Sequence, residues 1–144
     1  MTTGLTHLHS LLRWVILVLL IWSLINAFMQ KNGKETRILT ITSHVMLLIG
    51  ILQWFMGAWG LKLIQSIGMG EVMKTAAPRF FAIEHTFTMI IAIALITVGG
   101  VMVKKSNPKA KWMYLLALIL IIARIPWPFL GEGIARGWFP GMGV

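Results

Sequence analysis

The stretch SLLRWVILVLLIWSLINAFMQ, residues 10–30, decides the class of fold. Its only charged residue is Arg13, and most of the rest is apolar. A run of roughly 20 apolar residues matches the thickness of the hydrocarbon core of a bilayer. The stretch therefore predicts a helix that crosses a membrane.

Three further apolar runs follow, at residues 38–61, 80–103 and 112–130. The 144 residues are 58% hydrophobic and 12% charged, with a mean hydropathy of +0.83, which is more apolar surface than a soluble domain of this length can bury. We predict one membrane domain over residues 1–144, an all-α, integral membrane four-helix bundle. The tail 131–144 is expected on the outer surface.

Positive residues are divided unevenly between the connections, and this predicts the orientation of the chain. The two connections on one side carry seven: Lys31, Lys34, Arg37, Lys104, Lys105, Lys109 and Lys111. The other side has four: Lys62, Lys74, Arg79 and Arg136. Because cytoplasmic loops are enriched in Lys and Arg, both termini are predicted on the periplasmic side of a bacterial inner membrane. The net charge of +9 thus reflects loop bias, and we expect no nucleic-acid binding.

Histidines inside the apolar runs are the strongest candidates for a functional site, since ionisable groups in a bilayer are costly. His9 and His85 lie near the starts of the first and third runs, which cross in the same direction, so both fall at one depth in the outer half. Two imidazoles that face each other across a bundle suit the axial positions of a haem iron. His9 and His85 are therefore the predicted metal ligands. The alternative is that each bonds a neighbouring helix.

Two other histidines have weaker claims. His7 points about 200° away from His9 on a helix of roughly 3.6 residues per turn, so one iron cannot take both. Its position closer to water favours an interfacial side chain. His44 falls in the other half of the bilayer, where no second histidine shares its depth. We expect an interhelical hydrogen bond from His44, to Ser43 or a neighbouring threonine, with a quinone contact as the alternative.

Three arginines are also expected in the outer half: Arg13, Arg79 and Arg124. The guanidinium group binds carboxylates in a forked geometry, which makes these residues candidate partners for haem propionates. The alternative is that Arg13 or Arg124 pairs with Glu84 or a later glutamate, Glu132.

Two stripes of small or aromatic residues mark helix faces. The stripe His85, Ala92 and Gly99 offers small side chains on which a flat macrocycle can pack, although small residues also let helices approach closely. The stripe Gly50, Trp54 and Gly57 is interpreted as a helix-packing face.

The absence of some residue types and motifs from the sequence narrows the chemistry. There is no cysteine, which excludes disulfides, iron–sulfur clusters and covalently attached c-type haem. The sequence also has no HExxH, GxGxxG or P-loop motif. An electron carrier or a subunit is therefore favoured over a stand-alone enzyme.

Four strings of the sequence resemble a known family. They are His7-Leu8-His9-Ser10-Leu11-Leu12-Arg13-Trp14, Ser43-His44 followed by Leu47-Leu48-Ile49-Gly50, Arg79-Phe80-Phe81-Ala82-Ile83-Glu84-His85, and Ile125-Pro126-Trp127-Pro128. They are similar to those of small four-span bacterial inner-membrane proteins commonly labelled cytochrome b, over nearly all of the chain. The resemblance implies a b-type haem and electron transfer. It does not extend to the two-haem cytochrome b of the large respiratory complexes, which has two histidine pairs on two helices.

Three functions follow as hypotheses. The first is a membrane-embedded b-type haem electron-transfer protein, part of a respiratory complex, with other membrane subunits as partners. The second is a haem-free accessory subunit of a larger inner-membrane assembly. The third is a quinone-binding subunit, or a metal-ion site, that uses His44 or His7.

Overall fold

The computed structural model describes residues 2–31 and 33–127, and within them it contains helices and no strand. The helices are α1 (Thr2–Phe28), α2 (Glu35–Met56), α3 (Leu61–Ile67), α4 (Met69–Lys74), α5 (Ala76–Arg79), a π-helical segment (Phe80–Glu84), α6 (His85–Lys104) and α7 (Ala110–Ala123). Three stretches are long and apolar enough to cross a membrane: Gly4–Phe28, Glu35–Ile67 and Ala76–Lys104. The all-α class and the membrane-like helices are thus confirmed. The predicted outer tail 131–144, with Glu132, lies outside the described residues.

The fourth apolar run forms a shorter helix than its hydropathy predicts. Helix α7 ends at Ala123, well before residue 130. Proline lacks an N–H and disfavours helical geometry in the preceding residue, so Ile125-Pro126 stops the helix. At 1.5 Å per residue, the 14 residues of α7 span about 21 Å, less than the roughly 30 Å of a hydrocarbon core.

The second run is divided by glycines. Helix α2 ends at Met56, and the chain resumes as helix at Leu61. A Cβ atom at Gly60 would overlap the backbone of Trp54, so the tight return of the chain requires glycine there. This turn joins α2 to α3.

The four longest helices pack as a closed ring. Helix α1 packs on α2 and α7, and α6 packs on the same two, which places α1 and α6 at opposite corners. Antiparallel pairing of α1 and α2 is fixed at both ends, because Gln53 donates to the Thr6 hydroxyl at 3.1 Å and Asn26 donates to Glu35 at 2.8 Å. The end of the ring that contains His9 and His85 is called the histidine end, and the opposite end the loop end.

Apolar side chains are found both inside and outside this ring. Fully buried ones are found along the bundle, and include Leu20, Leu39, Ile96 and Tyr114 from its middle toward the loop end and Val72 at the histidine end. Others face outward, such as Val18, Leu48 and Phe87, which are 63%, 61% and 66% exposed. So large an exposed apolar surface is typical of a protein that contacts lipid.

Candidate functional site

His9 and His85 meet across the interior of the bundle. Their ring centres are 6.3 Å apart, and the rings are tilted by 51°. The two histidines come from α1 and from the start of α6, the helices at opposite corners of the ring. The depth match predicted from the sequence therefore corresponds to a real juxtaposition. Whether the pair binds a metal stays a prediction.

The end of α7 fixes the orientation of His85. The His85 Nδ1 atom lies 2.6 Å from the carbonyl oxygen of Arg124. Because a carbonyl only accepts, Nδ1 must carry the proton and donate it, which leaves Nε2 with a free lone pair. In a continuous helix the Arg124 carbonyl would accept from the N–H of residue 128, but Pro128 has none. Because Pro128 cannot donate to it, the Arg124 carbonyl is available to accept from His85.

In the same region, a second carbonyl that lacks its helical donor because of a proline accepts a hydrogen bond from a side chain. The Ile122 carbonyl lacks its helical donor because residue 126 is proline, and the indole Nε1 of Trp127 donates to it at 2.9 Å. The edge of the Trp127 ring packs against Trp14 of α1, with ring centres 6.3 Å apart. The end of α7 is therefore held on both sides of the His85 contact.

The π-helical segment Phe80–Glu84 runs directly into His85. Such segments widen one helical turn, release carbonyl groups from the ordinary ladder and occur often at functional sites. Here the indole Nε1 of Trp54 donates to the Ala82 carbonyl at 2.9 Å, and the Thr86 hydroxyl donates to Phe81 at 3.2 Å. The Trp54 bond also joins α2 to the π-helical segment, so a neighbouring helix stabilises this segment.

A cavity of about 950 Å³ opens beside the two imidazoles and reaches the middle of the bundle. Among the predicted site residues, those that line it are His7, His9, Arg13 and His85. His7 and His9 both reach it because the cavity is wide, although they point in different directions. No acidic side chain is found among the described residues that line it.

Several lining residues were not expected at the site. Lys62 was assigned to a loop, and the stripe Gly50, Trp54 and Gly57 was interpreted as helix packing, yet all four line the cavity. A Cβ at position 50 would lie 3.9 Å from His9 Nε2. The stripe therefore lines the cavity, while Trp54 also makes the helix contact that its spacing predicted.

The small residues of the stripe on α6 pack in the core and do not line the cavity. Ala92 is completely buried in the core cluster, and a Cβ at Gly99 would lie 2.9 Å from the ring of Tyr114. Neither residue lines the cavity. Of the two interpretations given to this stripe, close helix approach describes Ala92 and Gly99, and a macrocycle surface does not.

Two predicted arginines lie beside the site and do not line the cavity. Arg79 forms an ion pair with Glu84 at 2.9 Å, and the Nε atom of Arg124 lies 4.0 Å from the same carboxylate. Arg79 also donates to the carbonyl of Met73 at 2.9 Å. Pairing with Glu84, the alternative considered for Arg124, is therefore present. The guanidinium of Arg13 lines the cavity and lies 5.1 Å from the centre of the Trp14 ring.

His44 lies elsewhere, on the outward face of the bundle. Its Nε2 atom is 2.9 Å from the hydroxyl of Thr97 on α6. The single hydroxyl proton of Thr97 is donated to the Ile93 carbonyl at 2.8 Å, so His44 Nε2 is the donor to Thr97. The expected interhelical hydrogen bond is present, with a threonine as acceptor. His44 is exposed and does not line the cavity.

The described residues contain no group of three or more His, Cys, Asp or Glu side chains that would enclose a metal ion. Two imidazoles can instead provide the axial ligands of a metal held in a macrocycle. No family model, no curated protein and no solved structure matches the chain.

Proposed function

We propose that this chain is a membrane-embedded electron-transfer protein that binds a b-type haem between His9 and His85. One observation carries the proposal: imidazoles from opposite corners of the bundle meet inside a cavity, with ring centres 6.3 Å apart. The likeness of its sequence strings to small cytochrome b-labelled proteins points the same way.

The spacing of the rings suits one metal ion. Metal–imidazole nitrogen bonds are about 2 Å long, so two imidazoles on opposite sides of one ion have ring centres roughly 6 Å apart. The volume of about 950 Å³ lies in the range of about 300–1,000 Å³ usual for ligand and cofactor sites. Small Gly50 beside His9 leaves space for the edge of a flat ligand.

The hydrogen bond from His85 to Arg124 prepares this histidine for a metal. Ligating histidines usually donate their second N–H to a carbonyl or carboxylate, which fixes the tautomer and the ring orientation. His85 already has this arrangement through Nδ1, at 2.6 Å. Its Nε2 atom therefore presents a lone pair without any change of tautomer.

The charge of the cavity suits a ligand with carboxylates. Arg13 and Lys62 line it and no acid does among the described residues, so a ligand carboxylate meets attraction without repulsion. Arginine binds carboxylates through a planar fork and lysine through a point charge. We propose that these two side chains bind the propionates. A bound haem would supply one-electron redox chemistry at its iron.

We also propose the setting of the protein. The excess of lysine and arginine in residues 31–37 and 104–111 supports a four-span arrangement in a bacterial inner membrane, with both termini in the periplasm. Outward apolar side chains such as Leu48 and Phe87 leave room for other membrane subunits of a respiratory complex beside the lipid.

The test is a reduced-minus-oxidised absorption spectrum of the purified protein, with a pyridine haemochrome assay for stoichiometry. We expect a b-type α-band at about one haem per chain, lost in His9→Ala and in His85→Ala because each removes an axial ligand. The matched control is His44→Ala, which removes a histidine from a membrane helix outside the cavity. It should retain the haem.

Two outcomes contradict the proposal. One is a colourless protein after expression with ample haem, which leaves a haem-free accessory subunit as the better description. The other is a variant of His9 or His85 with unchanged haem content and spectrum, which removes that residue from the ligand set.

A quinone site is the second candidate, and the position of His44 favours it. His44 is an exposed imidazole on an apolar surface, where a quinone dissolved in the bilayer can reach it. With Nε2 donating to Thr97, a neutral ring offers Nδ1 as an acceptor for a quinol hydroxyl. His44→Leu should then abolish quinol-dependent reduction of the protein and leave its haem content unchanged. Equal reduction rates would exclude this role.

A further inference from the structure

Tyr114 is the one tyrosine of the chain, and its hydroxyl group is buried without a partner among the described residues. The side chain has no exposed surface, and it lies on α7 toward the loop end, away from the two histidines. A buried hydroxyl without a hydrogen bond costs folding free energy, and such groups in native structures are usually satisfied by protein or by ordered water.

Two successive glycines of α6 face this tyrosine. A Cβ at Gly99 would lie 2.9–3.2 Å from atoms of the Tyr114 ring, so glycine is needed there to admit the ring. Gly100 differs, because its Cβ would lie 3.0 Å from the Thr40 hydroxyl and 3.9 Å from the Tyr114 hydroxyl. The two hydroxyl groups, from α2 and α7, therefore border the same small space beside Gly100.

The donors and acceptors around this space are complementary to a water molecule. Thr40 donates its hydroxyl proton to the Thr36 carbonyl at 3.0 Å, so its oxygen is left as an acceptor. The Tyr114 hydroxyl has both its proton and its lone pairs available. A water can donate to Thr40 and accept from Tyr114, and so has the two polar partners that buried waters require.

We propose that a water molecule is bound between the hydroxyl groups of Thr40 and Tyr114, beside the bare backbone of Gly100. The site is polar, half-buried and distinct from the cavity at the histidine end. The proposal does not depend on haem binding, since none of its residues lines that cavity.

Water-edited solid-state NMR of the protein in lipid bilayers, with ¹³C-labelled tyrosine, tests the site directly. A single tyrosine gives one unambiguous set of signals. We expect magnetisation from water to reach Tyr114 several-fold faster in the wild type than in Gly100→Ala, whose methyl group occupies the space, or in Thr40→Val, which removes one partner. The matched control is Thr97→Val, a hydroxyl removed from α6 elsewhere, and it should leave the transfer rate unchanged.

The proposal would be overturned if magnetisation from water reached Tyr114 in the wild type as slowly as in either variant. Thermal unfolding of Tyr114→Phe provides a second measurement that does not depend on the glycine variant folding. Loss of a water-bonded hydroxyl lowers the midpoint of unfolding. A raised midpoint would show that the hydroxyl is an unsatisfied burden and that no water is bound.

Discussion

Substitutions at Gly50 test the proposed haem binding separately from folding, because Gly50 borders the cavity and few other described residues. A Cβ at position 50 lies 3.9 Å from His9 Nε2, with no other described atom within 4 Å beyond its own helix. A methyl group at this distance makes ordinary van der Waals contact. Gly50→Ala should therefore retain haem, and within α2 it should stabilise the helix by about 0.5–1 kcal/mol.

Leucine at the same position reaches into the proposed metal site. Two further carbon–carbon bonds of about 1.5 Å, joined at a tetrahedral angle, extend the side chain by about 2.5 Å. That is most of the 3.9 Å to His9 Nε2, and the metal would lie only about 2 Å from the same nitrogen. We expect Gly50→Leu to weaken haem binding about tenfold or more, equivalent to about 1.4 kcal/mol. The midpoint of unfolding of the haem-free protein should stay at or above that of the wild type.

The assay is titration of haem into haem-free protein, followed by Soret absorbance, with circular dichroism melting of the same samples. Gly4→Leu is the matched control, since Gly4 lies on α1 at the histidine end with open space around it. Its haem affinity should equal that of the wild type. A folded Gly50→Leu protein that binds haem as tightly as the wild type would refute the location of the site between His9 and α2.

Three further predictions concern the surroundings of the site and the core. Lys62→Met should weaken haem affinity about two- to fivefold, the effect of one partly solvated ion pair, in the same titration; an unchanged affinity would remove Lys62 from the propionate partners. Trp54→Phe removes the bond from the indole to the Ala82 carbonyl and should destabilise the fold by about 0.5–1.5 kcal/mol in chemical unfolding, whereas unchanged stability would mean that this bond is dispensable. Gly99→Ala places a methyl group 2.9 Å from the Tyr114 ring and should cost about 1–3 kcal/mol in the same assay, and a neutral effect would show that the ring moves freely.

The juxtaposition of His9 and His85 was predictable because it depends on quantities that helices fix. Each residue adds a nearly constant rise of about 1.5 Å, and short connections make neighbouring helices antiparallel. Counting from the ends of the apolar runs therefore places both histidines at one level. The ring centres lie 6.3 Å apart, which agrees with a common level for the two residues.

The roles of the two stripes were not predictable, because the neighbours decide them. Gly50 and Gly99 both recur at helical spacing with other small or aromatic residues, and a sequence shows no difference between them. Across from Gly99 stands the Tyr114 ring, while beyond Gly50 the chain leaves a cavity. Which glycine admits a ring and which leaves open space depends on the rotation of α2 and α6 about their axes.

The sequence left the pairing of Arg124 with Glu84 open as an alternative, but it did not predict the pairing of Arg79 with Glu84, for a local reason. Two irregularities decide where these side chains lie: the π-helical segment before His85 and the proline break after α7. Both bring Glu84 close to the two arginines, so this carboxylate takes the place that propionates were expected to fill. The hydropathy of the sequence and the spacing of its apolar residues do not predict a π-helical turn.

Two kinds of contact hold the histidine end of the bundle, which explains how so small a protein keeps an open cavity. Completely buried apolar side chains are found toward the loop end, as Leu20 and Leu39 are, and also at the histidine end, where Val72 of α4 has no exposed surface. At the histidine end, side-chain donors also bind backbone carbonyls, from Trp54 to Ala82 and from His85 to Arg124. Such bonds are stronger where water is excluded, and they fix the walls without filling the space between them. Pro128 leaves the Arg124 carbonyl without a helical donor, and the π-helical segment before α6 contains the Ala82 carbonyl, so the acceptors that hold the walls apart lie where the backbone is irregular.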